Sequence, residues 1–248
     1  MTFKKIILLL STCCTLLLAY VAITAQKRTH ENIDKRIIDY TIDPAISNLA
    51  FYWKDNKGSI LHNIASLKTF IESHHEQLLF AMNGGMFLND YSPQGLYIEN
   101  YQTLKQLDTT SGQGNFYLKP NGVFYLNKNN KANICTVTDF NPSKNVKFAT
   151  QSGPMLVINS QLHKAFKQGS ENVHIRNGVG ILPSGKLIFA ISKVPVNFYD
   201  FATYFKQAGC TQALYLDGFV SRMYLPEKKV MMPEGNFGVM IAVTKKNN

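Results

Sequence analysis

Apolar runs in this chain are short, and two of them stop at a polar residue followed by glycine. Leu78-Leu79-Phe80-Ala81-Met82 runs into Asn83-Gly84-Gly85, and Ala213-Leu214-Tyr215-Leu216 runs into Asp217-Gly218. Runs of this length suit buried strands better than buried helices. Asn-Gly and Asp-Gly are turn formers, so each break turns the chain. Further strands are predicted over 49–53, 95–99, 115–119, 123–127, 134–138, 155–158, 173–182, 186–192 and 237–243, with Asn121-Gly122 as a hairpin signal. Two stretches carry helical spacing instead. One holds Ile64, Leu67, Phe70 and Ile71; the other holds Phe198, Phe201, Ala202 and Phe205 and ends at Gly209. The pattern predicts an α+β fold: a single domain over 46–248, largely antiparallel, with a few helices.

The chain begins differently. Lys4 and Lys5 precede an apolar run from Ile6 to Ile23, and no further charge appears before Lys27. A basic start and an apolar run make an export signal, here with a cleavage site after Ala25. The run is also long enough to stay as an uncleaved N-terminal anchor. Either way, residues 1–25 are expected to export the protein, to the periplasm or outside the cell. Membrane contact is expected through that segment alone. Residues 26–45 are polar and charged, and read as a lead-in to the folded body.

Composition narrows the function. Of 248 residues, 45% are hydrophobic, enough for a core, and 17% are charged, too few for a coiled coil. The net charge is +10, but the basic residues are scattered singly and in pairs. Nucleic-acid binding needs a patch or a stripe, so no nucleic-acid partner is expected. Cys13 and Cys14 fall in the first segment, leaving Cys135 and Cys210, which either pair in an oxidising compartment or stay free. No CxxC pair occurs, and His74 and His75 have no partners at ligand spacing, so no metal and no other cofactor is expected.

Chemistry is sought at the strand ends. Asn83-Gly84-Gly85 and Asp217-Gly218 each place a polar side chain where glycine lets a ligand approach the backbone. Each also reads as an ordinary tight turn. Gln151-Ser152-Gly153-Pro154 lacks the Gly-x-Ser-x-Gly elbow of a nucleophilic serine and reads as a substrate-contacting loop. Gly112-Gln113-Gly114-Asn115 lacks the lysine of a phosphate loop. Arg176 interrupts an apolar stretch, and its guanidinium either pairs with Asp217 or receives a phosphate or carboxylate.

These pieces stand in a particular order: Ala81 to Phe87, Pro93 to Ile98, Gly114-Asn115-Phe116, Gln151 to Leu156, Arg176 to Gly180, then Leu214 to Gly218 with Ser221. The ordered set resembles the phosphodiester glycosidase family, over about residues 46–245. The resemblance implies a surface cavity lined by the polar-glycine turns. It implies cleavage of a sugar-1-phosphodiester, a glycan-type substrate, to free sugar and phosphate monoester. Matched residue by residue, the cavity would hold Asn83, Gly84, Gln151, Ser152, Arg176, Asp217 and Ser221, with Gly85 beside them. A phosphate monoester, whose second pKa is about 6, is a good leaving group, so one carboxylate and one cation suffice where ordinary glycosidases use two carboxylates. In that scheme Asp217 activates water or stabilises an oxocarbenium-like centre. Arg176 clamps the phosphate, Asn83 and Gln151 hydrogen-bond the substrate, and Glu99 is a second carboxylate. The family pattern Asp-Gly-Gly-x-Ser meets Phe219 after Gly218 here, which implies a reshaped pocket. Two other activities fit the same residues: a metal-independent phosphodiesterase that cuts P–O on envelope glycans, and a module that binds sugar phosphates without turnover.

Overall fold

The short apolar runs pair side by side into antiparallel sheets, which satisfies their backbone groups while burying their side chains. The computed structural model describes residues 34–247, apart from the side chain of Phe219; the expected export segment, residues 1–25, lies outside the described residues. Residues 36–247 fall in one unit.

A six-stranded sheet runs β1 (Ile37–Ile42), β12 (Leu187–Ser192), β11 (Asn177–Ile181), β13 (Gln212–Tyr215), β9 (Met155–Ile158) and β10 (Gln161–Leu162). A second sheet runs β15 (Val230–Met231), β14 (Met223–Leu225), β3 (Glu76–Asn83), β16 (Met240–Lys246) and β2 (Asn48–Tyr52). A third runs β5 (Gln102–Lys105), β4 (Tyr97–Glu99), β8 (Val146–Ser152), β6 (Gly122–Asn127) and β7 (Ala132–Thr136). Rings join the three. Phe80 of β3 meets Phe189 of β12 at 5.0 Å between centroids, Phe189 meets Phe124 of β6 at 6.0 Å, and Phe124 meets Phe51 of β2 at 5.3 Å. Each ring is fully or almost fully buried, so one apolar core serves all three sheets.

Two helices cover outer faces. Helix α1 (Ile64–Ser73) starts at Asn63, whose side chain accepts from the Ser66 N–H at 2.8 Å, and buries Ile64, Leu67 and Ile71 against the β3–β16 face. Helix α2 (Phe198–Gln207) starts at Asn197, whose side chain accepts from the Asp200 N–H at 2.8 Å, and packs Phe198, Phe201 and Phe205 on the six-stranded sheet. Both match the spacing in the sequence. Among the described residues, no helix is long and apolar enough to cross a membrane.

Several local expectations are corrected. Residues 37–42, inside the expected lead-in, form β1: Ile37 pairs with Ser192 and Ile42 with Leu187, partners roughly 150 positions away along the chain. Residues 115–117 form a 3-10 turn, not a strand, with Phe116 buried beneath it. Asn121-Gly122 is therefore not a hairpin turn; Asn121 donates to the Phe116 carbonyl at 3.1 Å, and Gly122 opens β6. The stretch predicted as a strand over 173–182 is a continuous strand only over Asn177–Ile181. Before it the Arg176 N–H goes to the Ser192 hydroxyl (2.9 Å) while its carbonyl still accepts from the Ser192 N–H (2.8 Å), and His174 bridges Val196 in isolation. Cys135 and Cys210 are both free thiols, and burial pushes them up to about 11 and about 12, which keeps them protonated and unreactive.

Candidate functional site

The ends of four strands meet at one turn. Strand β13 stops at Tyr215, and the next two residues bond to neighbouring strands instead of continuing the sheet. The Leu216 N–H donates to the Asn177 carbonyl at 3.2 Å, and the Leu216 carbonyl accepts from the Ser152 hydroxyl at 3.0 Å. The Asp217 carbonyl accepts from Asn83 Nδ2 at 2.8 Å and from the Ser221 hydroxyl at 3.3 Å. Asn83 Oδ1 in turn accepts from the Arg222 N–H at 2.9 Å and from Asn177 Nδ2 at 3.0 Å. Asn83 at the end of β3, Ser152 at the end of β8 and Asn177 at the start of β11 thus clamp the loop after β13. Each bond is worth about 1 kcal/mol net, but a buried group left unpaired costs about 1–3 kcal/mol, so the clamp is cooperative.

Burial separates roles that residue type alone does not. Asn83 is 1% exposed, Ser221 2%, and Gln151, Ser152 and Arg176 are fully buried. The residues expected to touch a ligand hold backbone instead, and the one among them on this turn that is only half-buried is Asp217. Gln151 is a case in point. Its Oε1 accepts from the Leu96 and Asp108 N–H groups at 2.9 Å each, and its Nε2 donates to the Asp108 carbonyl at 2.6 Å. It pins the loop that carries Gly95, at φ +75°.

Gly84 and Gly85 act through packing. A Cβ on Gly85 would lie 2.3 Å from Thr150 Oγ1 and 2.6 Å from the Gln151 carbonyl oxygen, and the second of these is backbone that cannot rotate away. Gly85→Ala is expected to lower stability by about 2 kcal/mol through forced separation of β8 from the Asn83 loop. The urea midpoint measures this; an unchanged midpoint would mean that the loop moves freely.

Arg176 is corrected from a phosphate clamp to an internal brace. Its Nε donates to the Val196 carbonyl at 2.8 Å, one terminal nitrogen to the Asn172 carbonyl at 2.8 Å and Asn172 Oδ1 at 3.1 Å, and the other to Tyr215 Oη at 3.3 Å. The guanidinium carbon lies 3.6 Å from the Phe198 ring centroid. A fork with these partners and no surface exposure has no face left for a substrate. Its reach to the turn is indirect. Tyr215 Oη also meets the Gly218 N–H, and a Cβ on Gly218 would lie 1.7 Å from it, so glycine is required there. Burial pushes the Tyr215 phenol up to about 12, so it stays a neutral hydroxyl between Arg176 and the turn.

Three residues of this region were not singled out from sequence. Asn177 and Tyr215 stand inside the recurring motifs but beside more conspicuous neighbours. The Asn177 Oδ1 is buried without a hydrogen-bond partner, an acceptor facing away from Asn83. Arg222 follows Ser221; its Nε donates to Glu234 at 3.0 Å and its Nη1 to the Ser221 carbonyl at 3.0 Å, and its side chain is 37% exposed. A surface guanidinium therefore does stand at the clamp, and it is Arg222. Glu99 is placed elsewhere. It lies in a cleft lined by none of the residues that clamp the turn. The Phe219 side chain, expected to reshape the pocket, lies outside the described residues. Among the described residues, no three His, Cys, Asp or Glu side chains cluster closely enough to hold a metal ion.

The arrangement offers a half-buried aspartate on a turn held by buried amides and hydroxyls, and directly after the clamping Ser221 stands Arg222, whose partly exposed side chain pairs with Glu234. A carboxylate so held suits proton transfer. Known proteins are similar to this chain in sequence and in fold. The chain is 39% identical over 208 residues to the uncharacterized protein YigE of Escherichia coli (strain K12), covering 84% of this chain and 81% of that protein. Its fold is similar to that of the zebrafish N-acetylglucosamine-1-phosphodiester alpha-N-acetylglucosaminidase catalytic domain auto-inhibited by pro-peptide. That match has a TM-score of 0.56 and 15% identity, over 86% of this chain and 84% of that one. A hypothetical protein from Synechocystis is similar at a TM-score of 0.51 and 12% identity, over 84% of this chain and 59% of that one. The family model for phosphodiester glycosidases matches residues 76–243, which run from the first residue of β3 into β16 and include every strand that clamps the Asp217 turn. By that match the chain belongs to the phosphodiester glycosidase family.

Proposed function

We propose that this protein is an exported hydrolase that cleaves the sugar C–O bond of a sugar-1-phosphodiester. The observation that carries the reading is Asp217: a half-buried aspartate on the turn where the family motifs converge, among neighbours that are fully or almost fully buried. In the proposed reaction Asp217 takes a proton from water as the water oxygen bonds to the anomeric carbon. The bond from that carbon to the phosphate oxygen breaks, and its electron pair leaves with the phosphate monoester. The leaving phosphate is already a weak base, so no strong acid is needed beside it. Arg222 takes the phosphate-facing role, since its side chain is partly exposed and gives only two of its donors to Glu234 and the Ser221 carbonyl, whereas Arg176 is fully buried. The zebrafish neighbour's name describes a glycosidase acting on such a phosphodiester, which supports the same class of substrate. The basic and apolar segment at residues 1–25 supports export.

The test is hydrolysis of a set of hexose and N-acetylhexosamine 1-phosphodiesters in heavy-oxygen water, with the products weighed by mass spectrometry. Label in the sugar is the expected result. Label in the phosphate would overturn the reading in favour of a phosphodiesterase. Binding of these compounds without products would make the protein a binding module.

A further inference from the structure

The cleft that holds Glu99 has its own chemistry. It measures about 320 Å³ and lies between edge strand β2, the end of α1 and the β4–β8 sheet. Four charged side chains line it: Glu76, Glu99, Lys54 and Lys147. No two of them form an ion pair. Glu99 accepts at one oxygen from Tyr97 Oη at 2.5 Å, and Glu76 accepts at one oxygen from Thr244 and, at 3.5 Å, from Asn48. Among the described residues, the second oxygen of each carboxylate takes no hydrogen bond. Lys54 Nζ rests 4.0 Å from the Trp53 ring centroid, and Lys147 Nζ 5.3 Å from that of Phe148. Two acceptors and two donors are therefore held apart around one space, with the rings of Tyr52 and Phe70 in its wall.

We propose that this cleft is a binding site for a neutral sugar ring, separate from the Asp217 turn. His74 also lines the cleft but is engaged by Asn56 and the Phe70 carbonyl. The two lysines and two glutamates balance in charge, so they give no electrostatic preference to an anion or a cation. Sugar hydroxyls both donate and accept, and can bridge a carboxylate to an ammonium around the ring. The apolar face of the ring has Phe70 and Tyr52 to rest on. The volume lies at the small end of ligand pockets and suits one hexose. Burial raises the Glu99 carboxyl above its ordinary range, and its Tyr97 bond works against that shift. A ligand hydroxyl on the remaining oxygen would add a second stabilising contact to the ionised form. This site stands whether or not Asp217 is catalytic.

The probes are the methyl glycosides of glucose, galactose, mannose and N-acetylglucosamine, titrated into the protein by saturation-transfer NMR. One of them is expected to bind with a millimolar Kd. Lys147→Ala and Glu99→Gln should each weaken it by roughly tenfold, the loss of one charged hydrogen bond. Glu99→Gln keeps an acceptor for Tyr97, and the Lys147 side chain has no hydrogen bond to lose while its carbonyl bond to Tyr101 survives in alanine, so both proteins should unfold thermally near the parent midpoint. Asp217→Asn should bind the same glycoside as the parent does. Failure of all four glycosides to bind overturns the proposal, as do parent-like Kd values in both cleft variants. Loss of binding in Asp217→Asn would assign the sugar to the turn instead. Stronger binding of glucuronate or glucosamine than of the neutral glycosides would show that the cleft selects charge, and would also overturn it.

Discussion

Asp217→Asn is expected to lower the rate of sugar-1-phosphodiester hydrolysis by about a thousandfold, the size of effect given by loss of a positioned general base. The loss should appear in kcat and in kcat/KM alike, because proton removal from water stabilises the transition state and not the bound substrate. The fold should survive. Asn83 and Ser221 hold this turn through the carbonyl of residue 217, and an asparagine keeps that carbonyl. Thermal unfolding and steady-state kinetics on the same preparation separate the two effects. A folded Asp217→Asn protein working at the parent rate would remove Asp217 from the mechanism.

Replacing Arg176 should do the reverse. Arg176→Ala strips donors from the Val196 and Asn172 carbonyls and from Tyr215 Oη, and empties the space against Phe198. Unpaired buried acceptors and a cavity together are expected to cost about 3–5 kcal/mol. Domains of this size are stable by only about 5–15 kcal/mol, so the urea midpoint should fall steeply. Arg176→Lys should recover part of the loss, since one ammonium cannot span the positions that the planar fork reaches. Were Arg176 a surface phosphate clamp, Arg176→Ala would leave the urea midpoint in place and raise KM. That pattern would reinstate the role implied by the family resemblance and overturn the brace.

Much of the fold is legible in the sequence because its signals are local. The spacing of Ile64, Leu67 and Ile71, and of Phe198, Phe201 and Phe205, marks both helices, though not the asparagines that cap them. Apolar runs at 78–82, 155–158 and 186–192 mark β3, β9 and β12. The misses share a cause. Strand β1 reads as a polar lead-in because only its ends, Ile37 and Ile42, are buried, and its partner β12 is far along the chain. Residues 115–117 carry strand-forming aromatics, yet a turn closed by Gly114 and Asn115 carbonyls overrides that preference.

The site divides in the same way. Residue type and order along the chain were enough to indicate the family, an antiparallel α+β fold and the two turns at Asn83 and Asp217, since turn chemistry and apolar length act over a few residues. Which polar side chains face inward was decided by tertiary structure alone. Asn83, Gln151, Ser152, Arg176 and Ser221 look like ligand contacts in a sequence because they are polar near glycine. In the folded protein they are drawn inside to satisfy backbone groups that strand ends leave without sheet partners. That demand arises only when β3, β8, β11 and β13 converge, so no local pattern records it. Asp217 stays half-buried on its turn, and Glu99 goes to a different cleft, where Tyr97 donates to it.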